Sequence, residues 1–313
     1  MSDDFAPLST RQAVLGAVVE SVSGTAEAVS AALANTVIYD ATMGPDGLFE
    51  GGESRPLGNY GGSRRRTPGP QKGKASFRTE LRYGDATLVL LSAAGFAVSG
   101  SVATAAYINL ATQKTLTLAL WEAGRKKVLY GASCSKATVK PEGNGQRVNV
   151  EWEFMGVWGG VSPEAMPADA AVTTPALRSA GLTLTEDGEQ IPQVSGWEID
   201  LGPEANPRQD ATSATALQRY QVEDGSPTLK LDPEARLVAQ YDAFGLLLAG
   251  GEHAVVLTLA DGPGNTVSFS MPRAQRLSVS DAAREKKRVD EVEFELHGGA
   301  SDAGVVITET AAA

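Results

Sequence analysis

Cysteine is all but missing from this chain: Cys134 is the only one in 313 residues. A single thiol excludes an intrachain disulfide and any Cys-based zinc site, and a buried, inert side chain is the expectation. Histidine is nearly as scarce. His253 and His297 show neither Glu-x-x-His nor His-x-x-x-His spacing, so no metal or cofactor is expected. Long apolar runs are missing too. The longest near the start, 13–19, is far too short to span a bilayer. The opening Met-Ser-Asp-Asp is acidic where a secretory leader requires a basic region. Synthesis in a cytoplasm, with no membrane partner, is the simplest expectation.

Positive charge is in deficit. Lys and Arg total 27 against 38 Asp and Glu, a formal charge of −11. Gripping phosphate needs Lys and Arg, so a general nucleic-acid binder is disfavoured. The same balance suits a surface that nucleic acid slides past without sticking. Aromatics are few at 6%, while Gly (34) and Pro (16) are plentiful, a composition that favours many short strands joined by turns. With 42% apolar and 21% charged residues the chain is globular, and it is long enough for two domains, each with its own core.

What is present is alternation. In 148–156, Val148, Val150, Trp152 and Phe154 fall on one side of a period-2 pattern, with Asn149, Glu151 and Glu153 on the other. Side chains alternate across a sheet, so this predicts a strand with one packed face and one acidic, wet face. Residues 291–298 repeat it: Val292, Phe294 and Leu296 against Glu291, Glu293 and Glu295, again stopped by a glycine.

The flanking elements echo each other in order. A short strand at 37–39 precedes a Gly/Pro/Ser/Arg-rich loop, 44–73, which carries Arg64, Arg65 and Arg66. A loop of that length is usually functional, and its basic tip is either a solvated charge run or a contact for an acidic surface. A strand at 75–82, a helix at 87–94 behind Asp85, and hairpins 116–129 and 132–154 follow. In the second half the matching elements are a strand at 197–201, a polar loop, and a strand at 228–231. A helix at 234–248 behind Pro233 and hairpins 255–269 and 277–296 complete the set. The expected division is therefore a 1–35 arm, a first module at 36–160, a connector at 161–192, a second module at 193–300 and a flexible tail at 301–313. The arm reads either as two short helices, at 11–19 and 25–34, or as a segment ordered only on a partner.

Catalytic patterns are not found. There is no Gly-x-Ser-x-Gly elbow, and Gly69…Gly73-Lys74-Ala75-Ser76 has the wrong glycine spacing for a phosphate loop. Carboxylates two apart on a strand lie about 6.5–7 Å apart, within glycosidase range. Their open, repeated arrangement reads instead as a solvated acidic stripe. The chain is not expected to be an enzyme.

Several segments resemble tail tube proteins of long-tailed bacteriophages. Residues 72–82, Lys-Gly-Lys-Ala-Ser-Phe-Arg-Thr-Glu-Leu-Arg, precede a helix ending Leu90-Leu91-Ser92-Ala93-Ala94-Gly95-Phe96. Together they are similar to that family's Ser-Phe-x-x-Glu-Leu … Leu-Leu-x-x-x-Gly-Phe segment. The hairpin ending Tyr130-Gly131-Ala132, the strand at 148–156 and the stretch 161–167 follow in the family's order. Ile199-Asp200-Leu201-Gly202, the strand at 228–231 and Met271-Pro272-Arg273-Ala274-Gln275 continue it. The resemblance spans 15–300 and lies in order and spacing rather than in any one motif. It departs at 17–25, where Val and Ser replace the aromatic of the family's Glu-x-x-Tyr-Gly-Thr, and Arg64–66 match no family pattern.

The resemblance implies a mainly β chain of two tandem β-sandwich modules, each with a short flanking helix, closing into a ring-shaped barrel on oligomerisation. Rings of three or six copies would stack into a virion tail tube. Tape measure and tail-end proteins would be partners, and double-stranded DNA a passing cargo. Glu80, Glu151, Glu153, Glu198, Asp200, Glu291, Glu293 and Glu295 are the candidate lumen-facing residues. Arg64, Arg65 and Arg66 are the candidate inter-ring contact. The rival expectation is a tandem β-sandwich that binds a glycan or host-surface ligand.

Overall fold

A computed structural model describes residues 13–47, 49–50, 67–107, 109, 113–191, 193–298 and 304–312. The chain is mainly β, with 56% strand and 5% helix, as its turn-rich composition implies. The first half holds β1 (Ala13–Val19), β2 (Ile38–Pro45), the hairpin of β3 (Phe49–Glu50) and β4 (Thr67–Pro68), and β5 (Lys72–Glu80). Then come α1 (Thr87–Ser92), β6 (Phe96–Ser99), β7 (Val102–Ala105), β8 (Leu116–Glu122), β9 (Arg125–Pro141) and β10 (Val148–Pro163). The second half holds β11 (Thr183–Glu186), β12 (Glu189–Gln190), β13 (Trp197–Asp200), the hairpin of β14 (Pro203–Gln209) and β15 (Leu217–Gly225), and β16 (Thr228–Leu231). It ends with α2 (Ala243–Ala249), β17 (Glu252–Ala260), β18 (Thr266–Arg284), β19 (Lys287–Leu296) and β20 (Val306–Thr310).

Sixteen strands form one antiparallel sheet, which among the described residues does not close on itself. In the first half the strands pair in the order β1-β8-β9-β10-β5-β2. In the second half they pair as β11-β17-β18-β19-β16-β13. In both halves a two-stranded hairpin, a strand and a helix follow in that order: β3-β4, β5, α1 and β14-β15, β16, α2. A short ladder joins the halves, with Ile199 opposite Val139 and Asp200 opposite Thr138.

Alternation explains most of these strands. In β10 Val148, Val150, Trp152 and Phe154 are buried, while Glu151 and Glu153 are half-buried. Phe154 stacks on Phe77 at 5.7 Å and on Trp152 at 6.0 Å, and a single apolar cluster runs on through Ile199, Leu229, Phe269 and Phe294. Truncating such a ring to Ala removes about 3–5 kcal/mol. Register shifts bend β10 against β9 near Gly156. A Cβ there would lie 2.9 Å from the Tyr130 carbonyl oxygen, so the bend admits only glycine.

Four segments depart from expectation. Residues 13–19 form a strand on β8, not a helix. Its buried terminus, Glu20, accepts hydrogen bonds from Gly24 N at 2.6 Å, Thr117 Oγ1 at 2.9 Å and Gly131 N at 2.6 Å, and from the Thr115 hydroxyl. The expected connector contains the end of β10 as well as β11 and β12, and its Leu177 is fully buried. The expected flexible tail contains β20, which pairs with both β18 and β7 and buries Val305 and Ile307.

The second helix is much shorter than 234–248. Backbone groups at its expected start bond to β19 instead: Asp290 N–H donates to Pro233 O, and Ala235 N–H to Arg288 O. The helix begins only where Asp242 accepts from Gly245 N at 2.8 Å, and it ends at Gly250, φ 64°.

Candidate functional site

Residues that stand directly opposite in an antiparallel sheet share a face. Following the pairings, one row crosses six strands: Glu295, Thr228, Asp200, Thr138, Glu151, Arg78. A neighbouring row holds Ser278, Glu293, Lys230 and Glu198. Glu153 and Glu291 lie two positions along from Glu151 and Glu293, so they join the same face. Seven of the eight expected carboxylates are thus brought together on one polar face that runs unbroken across both halves.

Glu80 is the exception. Its register, opposite Asn149, assigns it to this face, but it is only 1% exposed. Arg82 and Arg147 form ion pairs with it, and Tyr39 Oη donates to it at 2.5 Å. Burial pushes its pKa up, yet hydrogen bonds from Tyr39 and Arg82 and the two Arg charges outweigh burial and hold it below the usual range. Glu80 is therefore a structural ion, not a surface one. Asp232, which follows β16 as Glu80 ends β5, plays a similar part. It accepts from Ser195 N at 2.9 Å, Gly196 N at 2.6 Å and Arg284 Nη1 at 2.9 Å.

The polar face is also not purely acidic. Lys74 pairs with Glu153 at 2.7 Å, Lys140 with Glu151 at 2.9 Å and Lys230 with Glu293 at 3.4 Å. Among the described residues Glu198, Asp200 and Glu291 have no ion pair, so the face keeps negative charge around the junction and along β19. Sequence reading missed these cations because pairing across strands is non-local. The period-2 series Lys74, Ser76, Arg78 was the available signal. Two shallow grooves lie on the face. One of about 440 Å³ is bordered by Trp197, Glu198, Lys230, Ser280, Glu291 and Glu293, and one of about 290 Å³ by Asp40, Arg78, Lys136, Glu151 and Glu153.

Two further charged clusters lie off this face. Arg276, 4% exposed, pairs with Glu186, donates to Tyr241 Oη at 3.0 Å and lies 5.0 Å over the Phe294 ring. Beside it His253 Nδ1 meets Asp187 at 2.6 Å. Hydrogen bonding from His253 and from Ala254 N holds the Asp187 carboxyl below its ordinary range. In the first half Asp85 accepts from Thr87 N at 2.7 Å and Arg82 N at 2.9 Å. Burial, only partly opposed by those bonds, raises its pKa to about 6. These groups tie loops to strands.

Among the described residues no group of His, Cys, Asp and Glu could hold a metal ion, and no helix is long and apolar enough to cross a membrane. Cys134 is buried and donates to the Lys136 carbonyl; burial pushes its thiol pKa far up, so it stays protonated and inert. Arg64, Arg65 and Arg66 lie outside the described residues. No protein-family model matches this chain, and no curated protein does.

Proposed function

We propose that this chain is a structural subunit of a bacteriophage tail tube. In this reading its halves are tandem, duplicated β-sandwich modules. Three or six copies close into a ring whose continuous sheet lines a channel, and rings stack in the virion tail. Tape measure and tail-end proteins would complete the assembly, and double-stranded DNA would pass without being held. No catalysis and no cofactor are involved.

The observation that carries the reading is the unbroken polar face. One sheet presents Glu151, Glu153, Glu198, Asp200, Glu291, Glu293 and Glu295 on the same side through both halves. The equal strand order of the halves and the resemblance of 15–300 to tail tube proteins support it. Duplex DNA carries about one charge per 1.7 Å of axis, and a net-acidic wall denies it the counterion release that drives binding. An open sheet is a liability for a free monomer, and ring closure removes its edges.

The glycan-binding alternative has less in its favour. Stacking on sugars needs exposed aromatic rings, and Trp121, Trp152 and Trp197 are 0%, 2% and 4% exposed. Negative-stain imaging of concentrated pure protein tests the proposal. Rings or tubes are the expected result, and dispersed monomers at every concentration and salt would refute it.

A further inference from the structure

The β13–β9 junction is made once inside the chain, yet the parts for making it again are present on β18 and β2. β9 is flanked on one side by β10 along its length. On its other side β8 covers the first part, and β13 covers residues Thr138 and Val139. β18 has the same arrangement with its last place vacant. β17 covers Thr266–Gln275 on one side, and β20 and then β19 cover the other. Among the described residues nothing pairs with the β17 side of β18 from Arg276 onwards. At the far end of the sheet β2 pairs, among the described residues, only with β5, which leaves its outer edge unpaired there.

Side-chain cover tells the same story. Ala137 and Val139 on β9 are 0% and 2% exposed, packed with Ile199 and Leu201 from the second half. On β18 the cover is thinner: Val279, in the place of Val139, is half-buried, and the bulge residue Leu277 is 51% exposed. The helices differ likewise. Leu90 and Leu91 of α1 are fully buried, whereas Phe244 and Leu248 of α2 are 44% and 87% exposed. Gln275 bonds the carbonyl of Gly250 at the end of α2, so this apolar patch adjoins the open edge of β18.

We infer that β2 of one copy adds antiparallel to the open edge of β18 of a second copy, repeating the junction of β13 with β9. The ladders set the register. Thr138 stands opposite Glu151, which stands opposite Arg78. Ser278 stands opposite Glu293, which stands opposite Lys230. Ser278 therefore holds the place of Thr138. Asp200 stands opposite Thr228, and Thr42 opposite Ser76, one step along from the same anchors. Thr42 therefore holds the place of Asp200. The pair Asp200–Thr138 inside the chain becomes Thr42–Ser278 between chains, with Ala41 facing Val279 across the bulge in β2.

Leu201 N–H donates to Ala137 O at 2.9 Å, so Asp200 and Thr138, one residue along, form a non-hydrogen-bonded pair. Such pairs bring Cβ atoms to about 4.5–5.5 Å, which with modest adjustment suits a disulfide. Head-to-tail addition of this kind uses two different edges. It yields a ring if the rotation closes, and a filament otherwise.

The inference deepens the tail-tube reading and rests on it for the occupant of the edge. Thr42→Cys and Ser278→Cys, each on an exposed side chain, are prepared separately, mixed at assembling concentration and oxidised. Buried Cys134 should not compete. The mixture should give disulfide-linked dimers, neither variant alone should, and the double variant T42C/S278C should give a ladder of linked copies. Thr42→Cys mixed with Ala282→Cys, four residues out of register, should give none above background. Rings or tubes without the 42–278 cross-link overturn this register while leaving the tail-tube reading standing. No assembly and no cross-link overturns both. In-register cross-linking without tubes upholds the strand pairing and counts against the tube.

Discussion

Ile199 stands directly opposite Val139, and at 0% and 2% exposure the pair is sealed between the two halves of the chain. The matching position on β18, Val279, is half-buried, and Leu277 two residues before it is 51% exposed. That contrast separates folding from assembly. Ile199→Ala should destabilise the monomer by about 2–5 kcal/mol through the cavity it leaves, measured by denaturant unfolding. Leu277→Ala should leave monomer stability within about 0.5 kcal/mol but reduce assembly in sedimentation. Equal effects of both variants on the monomer would contradict the account of the open edge.

Glu80 gives a second prediction. Glu80→Gln leaves Arg82 poorly compensated in a buried setting and should cost about 3–5 kcal/mol. Because the folded pKa of Glu80 is depressed, its contribution is present above the ordinary carboxylate range and is lost as pH falls through the folded value. Acid unfolding of the wild type should therefore be steeper than that of the variant. Parallel acid titrations followed by circular dichroism would reveal this.

Glu309 works in the opposite direction. At the end of β20 its carboxylate accepts from Gly84 N at 3.1 Å. Burial, and then the charge of Asp85, raise its pKa to about 7 against that bond. A raised folded pKa favours the fold below the ordinary value of 4.5, and that advantage fades as pH climbs through about 7. The wild-type melting temperature should decline over this interval, and Glu309→Gln should flatten the decline. Asp85, at about 6, will leave a residual slope. A variant profile that overlays the wild type would remove Glu309 from the explanation.

The polar face gives a fourth. Glu198→Lys, Asp200→Lys and Glu291→Lys reverse charge where no ion pair is broken, so each should change stability by less than about 1 kcal/mol. Combined, they should create salt-sensitive retention of duplex DNA that the wild type lacks. Each added phosphate contact should steepen the log–log salt slope by about 0.9. Filter binding at low and moderate salt measures it, and retention unchanged from wild type would argue against this face meeting DNA.

The wet carboxylates were legible in the sequence because Glu alternates with Val, Trp and Phe in single strands such as β10 and β19. Hairpins were legible from turn residues. Their neighbours were not: Glu151 meets Asp200 through Thr138, a contact between strands distant in the chain, which no local pattern encodes. β1 and β20 were missed for a related reason. Their small and β-branched residues become strands because β8, β7 and β18 offer them edges. Helical propensity at 234–248 failed because Pro233 and Ala235 bond to β19. In each case a tertiary partner overrode the local preference.

β9 is common ground for both halves, and this sets an order in time as the chain is made. Its outer flank at Thr138 and Val139 is filled by β13, which leaves the ribosome more than fifty residues later. At roughly 5–20 residues per second the flank stays bare for several seconds. During that interval the nascent first half exposes an acceptor edge of the kind that β18 later offers. Arrival of Ile199 and Asp200 closes that edge from within, so in the proposed assembly β18 is left as acceptor for β2 of another copy, and growth would have a direction.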